Sequence, residues 1–168
     1  MLRRATPADA EGLWRLQRDL ITDGRGMVQL PEEARESPEP CREMLEGFAG
    51  RPEDRILLIA IDGRAVATVD VKRIALRQLA HNAYLTIGVH PDVQGRGLGR
   101  WLMRAAVDWA RQAGVLHLEL NVLADNARAV ALYRSMGFEV AYRRERFLRR
   151  PDGTWLDDLL MVLRFPVG

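Results

Sequence analysis

Residues 94–99, Gln-Gly-Arg-Gly-Leu-Gly, constrain the fold of this chain more than any other stretch. An apolar run typical of a strand, 84–89, precedes them, and an amphipathic helical pattern, 98–112, follows. Glycine allows positive φ and lets a ligand approach the backbone, and the first turn of a helix presents unpaired N–H groups at the positive end of its dipole. The pattern therefore predicts an anion site, most often for phosphate or pyrophosphate, to which Arg96 and Arg100 add charge.

Neighbouring residues argue against two nucleotide-binding motifs that share this glycine pattern. A Walker-type P-loop requires Lys followed by Ser or Thr after its glycines, and Arg100-Trp101 stand there instead. A dinucleotide fingerprint requires its third glycine at position 100 and a place near the first strand of an alternating βαβ unit. The glycines alone would also suit a tight strand-to-helix turn that binds nothing, so the assignment needs a second motif.

Hydrophobic periodicity and turn residues divide the chain into elements in the order β-α-α-β-β-β-α-β-α-β-β. The predicted strands are 2–5, 55–62, 64–74, 84–89, 116–122, 138–148 and 155–165, and the predicted helices are 6–21, 39–48, 98–112 and 126–136, the last capped by Asp125. This order favours a mixed α/β sheet over a doubly wound parallel one. No linker or internal repeat interrupts the chain, so we expect a single domain over residues 1–168.

Composition restricts the classes of function. A formal charge of +2 at 29% charged residues gives little indication of a nucleic-acid-binding protein. Cys41 is the only cysteine, and no two histidines have the spacing of metal ligands, so we expect neither an internal disulfide nor a metal site. No signal peptide and no apolar run long enough to cross a membrane is evident. We therefore expect a cytoplasmic protein.

A second motif lies in the helix predicted after strand 116–122. Asn126, Ala129 and Tyr133 are spaced to share one face of that helix. Together with the glycine loop, this motif resembles the GNAT superfamily of N-acyltransferases, since the family's acyl-CoA loop, Gln/Arg-x-x-Gly-x-Gly/Ala, fits residues 94–99 at every position. The family's later signature is matched by Asn126, Ala129, Leu132-Tyr133 and Gly137-Phe138.

The resemblance covers about residues 2–165 and implies the fold of these acyltransferases. That fold is a mixed, mostly antiparallel sheet of about seven strands, flanked by about four helices and splayed between two central parallel strands. Acyl-CoA, most often acetyl-CoA, would lie in the gap as co-substrate, with its pyrophosphate on the loop and its pantetheine arm along the first of the two strands. The residues that the resemblance assigns to the donor are Ile87, Gly88, Val89, Gln94, Gly95, Arg96, Gly97, Leu98, Gly99, Arg100, Asn126, Ala129 and Tyr133.

The resemblance also implies direct attack of an amine on the thioester in a ternary complex. Tyr133 would act as general acid toward the departing CoA thiolate, and a backbone N–H near Val89 would help hold the oxyanion. Many relatives carry Glu on the strand before the loop as the general base. This chain has Tyr84 at the matching position, so no carboxylate base stands there. Glu119, His81 and a water chain are the alternatives.

The acceptor is expected to be a small amine, such as an amino acid, a polyamine or an antibiotic. A protein N-terminus or lysine is the alternative, and a non-catalytic acyl-CoA sensor is the rival from another class. Asp157 or Asp158 could attract an ammonium group, or serve a homodimer formed through the last two strands. The basic run 142–150 could meet nucleic acid, but we expect instead the solvated side of an outer strand.

Overall fold

Seven strands form one mixed sheet in the order β1-β2-β3-β4-β5-β7-β6 in the computed structural model, which describes residues 1–166. The predicted order of elements and the mixed sheet are confirmed, although residues 167 and 168 of the predicted domain lie outside the described part. The strands are β1 Leu2–Arg4, β2 Arg55–Ile61, β3 Arg64–Arg73, β4 Asn82–Val89, β5 His117–Leu123, β6 Glu139–Arg149 and β7 Trp155–Arg164. The helices are α1 Ala10–Asp23, α2 Glu39–Ala49, α3 Leu98–Gln112 and α4 Ala127–Ser135.

The two central strands, β4 and β5, are parallel and pair over a short distance only. Their register begins at Asn82 opposite His117 and ends at Tyr84 opposite Glu119. Beyond that point β4 stays paired with β3 as far as Val89, and β5 stays paired with β7 as far as its last residue. The facing edges of β4 and β5 therefore separate. We call this gap, between residues 85–89 and 120–123, the fork.

The fork matters because backbone N–H and C=O groups must be satisfied when they leave water. The direction of these groups on β4 follows from one hydrogen bond just beyond the strand, in which the N–H of His90 donates to the carbonyl of Val66 at 2.8 Å. Since successive N–H groups along a strand point to opposite sides, the N–H of Val89 points into the fork. Residue 87 has the same orientation. One edge of the fork thus presents backbone groups, such as the N–H groups of residues 87 and 89, that an extended ligand could use.

Helices cover the two faces of the sheet unequally. Side chains of α3 and α4 pack on one face in a large cluster that includes Leu102, Met103 and Phe138. On the other face, α1 and α2 pack through Leu13, Leu45 and similar residues onto β1–β3. Within residues 1–166, no member of this second cluster lies on β5, β6 or β7. The sheet is therefore less covered on that face from β4 onward.

The outer strand β6 carries the basic run found in the sequence. Its side chains are exposed along almost the whole strand. Three arginines of the basic run 142–150 are paired with carboxylates: Arg143 with Asp157, Arg144 with Asp158 and Arg150 with Asp125. The pairing supports a solvated edge strand, as predicted, over a free polycation. None of the helices in residues 1–166 is long and apolar enough to span a bilayer.

Candidate active site

The fork opens into a cleft of about 790 Å³, within the range of small-molecule sites. Four parts of the chain build its walls: the end of α1 with the segment 25–29 that follows, strand β4 with the glycine loop, the middle of β5, and one face of α4. The two motifs of the sequence, which are about thirty residues apart in the chain, meet there because α3 and β5 return the chain to the other side of the fork. Of the loop, Arg96 alone does not line the cleft.

The glycine loop has the conformation that an anion site requires. Gly95 and Gly97 have φ of +83° and +81°, values that residues other than glycine rarely adopt. Gly97 is the N-cap of α3, so the first N–H groups of that helix are unpaired at this end. A Cβ built on Gly97 would meet no atom of the described residues within 4 Å apart from its immediate surroundings in the chain. Open space therefore lies over the loop, where a phosphate group could approach the backbone closely.

Two side chains hold the loop against the rest of the cleft. The amide nitrogen Nε2 of Gln94 donates to the carbonyl of Val89 at 3.0 Å and fixes the loop to the end of β4. Arg128 on α4 donates to Oε1 of Gln94 at 3.3 Å from the opposite wall. Arg128 also lines the cleft and places a guanidinium beside the loop, as Arg100 does. Arg128 was not among the residues predicted from the sequence, although it lies within the second motif.

Strand β4 forms the wall next to the loop. Ile87, Gly88 and Val89 line the cleft, as the resemblance implied. The end of α1 approaches the strand closely at Gly88, where a Cβ would lie 2.6 Å from Cδ1 of Leu20. The close contact brings the end of α1, and with it the segment 25–29, over the fork.

Tyr133 lies on α4 with its ring packed beside Phe138, at a centroid separation of 6.1 Å. The residue is 7% exposed, and it lines the cleft. Its hydroxyl has no hydrogen-bond partner among the described residues. Burial, followed by the nearby phenol of Tyr84, raises the pKa of Tyr133 to about 12. The group is therefore protonated at neutral pH and is able to donate a proton into the cleft.

Asn126 is the N-cap of α4, a role that the sequence analysis wrongly gave to Asp125. Its Oδ1 accepts from the N–H of Ala129 at 3.2 Å and so satisfies a free donor of the first helical turn. The other side of the amide faces the segment after α1, where a Cβ on Gly26 would lie 2.6 Å from Nδ2. Asn126 thus marks the point at which segment 25–29 crosses the mouth of the cleft. Segment 25–29 lies between the predicted helices 6–21 and 39–48, and nothing in the sequence indicated that it would reach the cleft.

A chain of hydrogen bonds closes the root of the fork. The hydroxyl of Tyr84 donates to Oδ1 of Asn121 at 2.5 Å, across the point where β4 and β5 separate. Nδ2 of Asn121 donates to Asp158 at 2.5 Å, and Arg144 donates to the same carboxylate oxygen at 2.6 Å. Asp158 is 3% exposed and is held by these two partners, while Asp157 is paired with Arg143. Neither aspartate is free to attract an ammonium group directly.

The two side chains proposed as general base lie outside the cleft lining. Glu119 is opposite Tyr84 in the last parallel pair, on the same face of the sheet but below the root of the fork. His81 precedes β4, where its ring packs edge-on against His117 at 5.7 Å between centroids. The structure therefore brings Tyr133 and the loop together, and leaves Glu119 and His81 apart from them.

Asp70 is a further titratable side chain near the site, and it lies within the strand predicted over residues 64–74. It lies on β3 opposite Thr86, and Thr86 lines the cleft. Within the described part of the chain its carboxylate makes no hydrogen bond or ion pair. Burial raises its pKa to about 6, although Lys72 acts in the opposite direction. A polar residue in an apolar strand was the available signal.

No three His, Cys, Asp or Glu side chains of residues 1–166 are grouped so as to hold a metal ion. The groups that the cleft offers a ligand are the N–H groups of the glycine loop, the backbone of β4, the side chains of two tyrosines and two asparagines, and arginines. The residues present suit a phosphate-bearing, extended ligand.

Comparisons with known proteins agree with this geometry. The family model described as the acetyltransferase (GNAT) family matches residues 23–138. The N-alpha-acetyltransferase RimI of Mycobacterium tuberculosis is 53% identical over 64 residues, which are 38% of this chain and 39% of that protein. The [ribosomal protein bS18]-alanine N-acetyltransferase of Escherichia coli K12 is 43% identical over 77 residues, 46% of this chain and 51% of that protein. The mycothiol acetyltransferase of Beutenbergia cavernae is 32% identical over 163 residues, 75% of this chain and 54% of that protein.

Solved structures share the whole fold. A GNAT-family acetyltransferase from Streptococcus pneumoniae superposes with a TM-score of 0.92 at 24% identity, covering 98% of this chain and 99% of that one. The ribosomal-protein-alanine N-acetyltransferase of Brucella melitensis gives 0.86 at 26% identity, with the same coverage. The chain spans only 39–54% of the length of the three relatives matched by sequence. The family model nevertheless covers well over half of the 168 residues, and so the chain belongs to the acetyltransferase (GNAT) family.

Proposed function

We propose that this protein transfers an acetyl group from acetyl-CoA to a primary amine by direct attack within the cleft. One observation carries the proposal: the open space over the loop at Gly97 and the unpartnered hydroxyl of Tyr133 face the same cavity. A site that only binds an anion would have no need of a buried, protonated phenol at the other end of the fork.

The chain can hold the donor at three places. The N–H groups of residues 94–99 and of the first turn of α3 would take the pyrophosphate, and Arg100 and Arg128 add positive charge on either side. The N–H groups of residues 87 and 89 on β4, which point into the fork, would pair with the amides of the pantetheine arm in the manner of an added strand. The co-substrate supplies the thioester.

The reacting atoms would then lie near the N–H of Val89, which points into the fork and can donate to the developing oxyanion. The amine nitrogen bonds to the thioester carbon as the carbon–sulfur bond breaks, and the sulfur leaves as a thiolate. Tyr133 gives that thiolate its proton. The amine loses one proton to a base, and Tyr133 regains one from solvent.

We propose water as the first acceptor of the amine's proton. No Asp or Glu side chain in the described residues lines the cleft, and an amine that reaches the site neutral needs little assistance. Glu119 is the carboxylate to which such a water could pass the proton on the same face of the sheet. His81 lies just before β4, at the end of that strand away from the loop, and is the weaker alternative as general base.

For the acceptor, we propose the α-amino group of a peptide. The support comes from two relatives whose names specify alanine N-acetylation, one of which matches this chain over nearly its full length. A small amine, which the sequence analysis favoured, is the second candidate. The match to a mycothiol acetyltransferase over 75% of the chain supports it.

Release of free CoA thiol, followed over a panel of amines, tests the proposal. The panel contains a peptide with a free N-terminal alanine, the same peptide N-acetylated, a free amino acid, a polyamine and an aminoglycoside. We expect turnover with the free peptide and none with its blocked form. Turnover with a small amine alone would move the acceptor to the second candidate. Tight binding of acetyl-CoA without turnover on any amine would contradict catalysis and favour an acyl-CoA sensor.

A homodimer through the C-terminal strands is a further proposal. Its support is the exposed outer strand β6 together with three exposed apolar side chains, Val140, Phe147 and Trp155. Sedimentation of the protein over a range of concentrations would test it, and a monomer at every concentration would contradict it.

A further inference from the structure

We propose that Tyr84 positions the attacking amine by accepting one of its N–H bonds at the phenol oxygen, and that Asn121 and Asp158 set Tyr84 in that role. This inference rests on the proposed function and names the side chain that selects its acceptor. Tyr84 stands at the root of the fork and lines the cleft together with Tyr133. No Asp or Glu side chain of the described residues lines the cleft beside it.

The direction of the hydrogen-bond chain follows from its far end. The carboxylate of Asp158 can only accept, and it accepts from Arg144 at 2.6 Å and from the side chain of Asn121 at 2.5 Å. The group of Asn121 that faces Asp158 must therefore be its NH₂. Its oxygen is then the atom that faces Tyr84, 2.5 Å from the hydroxyl. The buried carboxylate of Asp158, paired with the partly exposed Arg144, thus fixes an amide orientation that a lone asparagine would leave open.

The consequence concerns the hydroxyl proton of Tyr84. Since Oδ1 of Asn121 can only accept, Tyr84 must donate its single proton there. The lone pairs of the phenol oxygen are then the part of Tyr84 available to the cleft, which 40% exposure of the residue leaves accessible. An oxygen that can accept but not donate favours a ligand with N–H bonds. A primary amine meets this requirement, and a fully substituted nitrogen does not.

The two tyrosines of the cleft therefore have opposite polarity. Tyr133 keeps an unpartnered proton that it can donate, whereas the proton of Tyr84 is committed to Asn121. The two phenols are close enough for Tyr84 to influence the titration of Tyr133. An amine held at Tyr84 would hence lie on the acceptor side of the thioester, with the departing sulfur toward Tyr133.

A double-mutant cycle over Tyr84→Phe and Asn121→Leu tests the inference, with the alanine-terminal peptide as the amine, or the best amine of the panel if the peptide is not used. Loss of one hydrogen bond to the amine should lower kcat/KM for the amine by about tenfold in Tyr84→Phe. Acetyl-CoA affinity should stay within about twofold, because the donor residues are elsewhere. Tyr142→Phe, at an exposed tyrosine of β6 outside the cleft, is the matched control and should equal wild type.

Asn121→Leu distinguishes a positioning role from a structural one. If Asn121 acts through Tyr84, its replacement should lower kcat/KM for the amine in the wild-type background and have little further effect once Tyr84 is Phe. Additive losses would show that Asn121 acts by itself and would overturn the proposal that it acts through Tyr84. Thermal unfolding of each variant reports on the fold, and Tyr84→Phe alone remains decisive if Asn121→Leu is unstable.

The outcomes separate this inference from the proposed function. A wild-type protein that acetylates no amine contradicts both. A wild-type protein that turns over, beside a Tyr84→Phe variant with unchanged kcat/KM for the amine, overturns the role of Tyr84 and leaves the acetyltransferase proposal intact.

Discussion

Replacement of Gly97 by alanine should weaken acetyl-CoA binding. Its effect on stability should be no larger than that of the same replacement at a control glycine, Gly63. Gly97 has φ of +81°, and Gly63 in the β2–β3 turn has +77°. Within residues 1–166, a Cβ at either position would meet nothing within 4 Å apart from its immediate surroundings in the chain. Alanine in the left-handed region costs roughly 1–2 kcal/mol through its Cβ. Because this backbone cost is shared, Gly63→Ala and Gly97→Ala should lose similar stability.

The stability loss can be measured directly. For a domain of 168 residues, each 1 kcal/mol lowers Tm by about 2–4 °C. We therefore expect both variants to unfold a few degrees below wild type and close to each other. A much larger loss in Gly97→Ala would mean that the loop has a packing role not evident from its open surroundings.

The binding effect should be confined to Gly97, because the new methyl group occupies the space over the loop N–H groups. Loss of one hydrogen bond to a charged phosphate oxygen costs about 1.5–3 kcal/mol, which corresponds to roughly 10- to 150-fold weaker binding. Titration calorimetry with acetyl-CoA measures this. The stabilisation that the ligand gives is an independent readout, since saturation at 100 times Kd adds about 2.7 kcal/mol. Equal acetyl-CoA affinity in Gly97→Ala and Gly63→Ala would refute the assignment of the loop.

Three further predictions follow from the titratable groups. Tyr133→Phe should lower kcat by about 10²-fold, at the lower end for a lost general acid, with little change in acetyl-CoA affinity; an unchanged kcat would remove Tyr133 from this role. The pKa of Tyr133 is raised from 10 to about 12 in the folded protein, so the unfolded chain loses this proton at lower pH. The stability of wild type relative to Tyr133→Phe should therefore fall between pH 10 and 12, by up to roughly 3 kcal/mol. Denaturant midpoints of the two proteins that stay parallel over that range would contradict this. The pKa of Asp70 is raised to about 6, so the stability of the protein should fall as the pH rises from about 4 to 6. Asp70→Asn should be more stable than wild type by about 1–3 kcal/mol at pH 7.5, and no more stable at pH 3.5. Equal stabilities at pH 7.5 would show that the carboxylate has a partner.

Local patterns in the sequence were sufficient to predict the parts of the fold that depend on local chemistry. Helix α3 has the predicted bounds, Leu98–Gln112, because glycines precede it, Gly114 follows it and an apolar stripe runs between them. The glycine loop and the helix with Tyr133 could be identified for the same reason. The cap of α4 was misplaced by one residue, since Asp125 and Asn126 are both good caps and only the backbone distinguishes them.

Features that depend on long-range register could not be predicted from the residues alone. The point at which β4 and β5 separate is set by how far Tyr84 and Glu119 stay paired, which no short pattern encodes. The link from Tyr84 to Asn121 and Asp158 joins three strands, so its members looked like ordinary polar positions of an alternating pattern. Segment 25–29 lies between two predicted helices, but its contact with Asn126 joins residues about a hundred positions apart in the chain.

The most direct test of the central claim is the intact mass of both protein and acceptor after incubation with acetyl-CoA and the alanine-terminal peptide. Direct transfer in a ternary complex predicts that the peptide gains one acetyl group per CoA released, and that the protein incubated with acetyl-CoA alone keeps its own mass. An acetylated protein that passes its acetyl group to the peptide would contradict direct attack. A peptide and a protein both unchanged, with acetyl-CoA intact and bound, would contradict the assignment of catalysis to the fork.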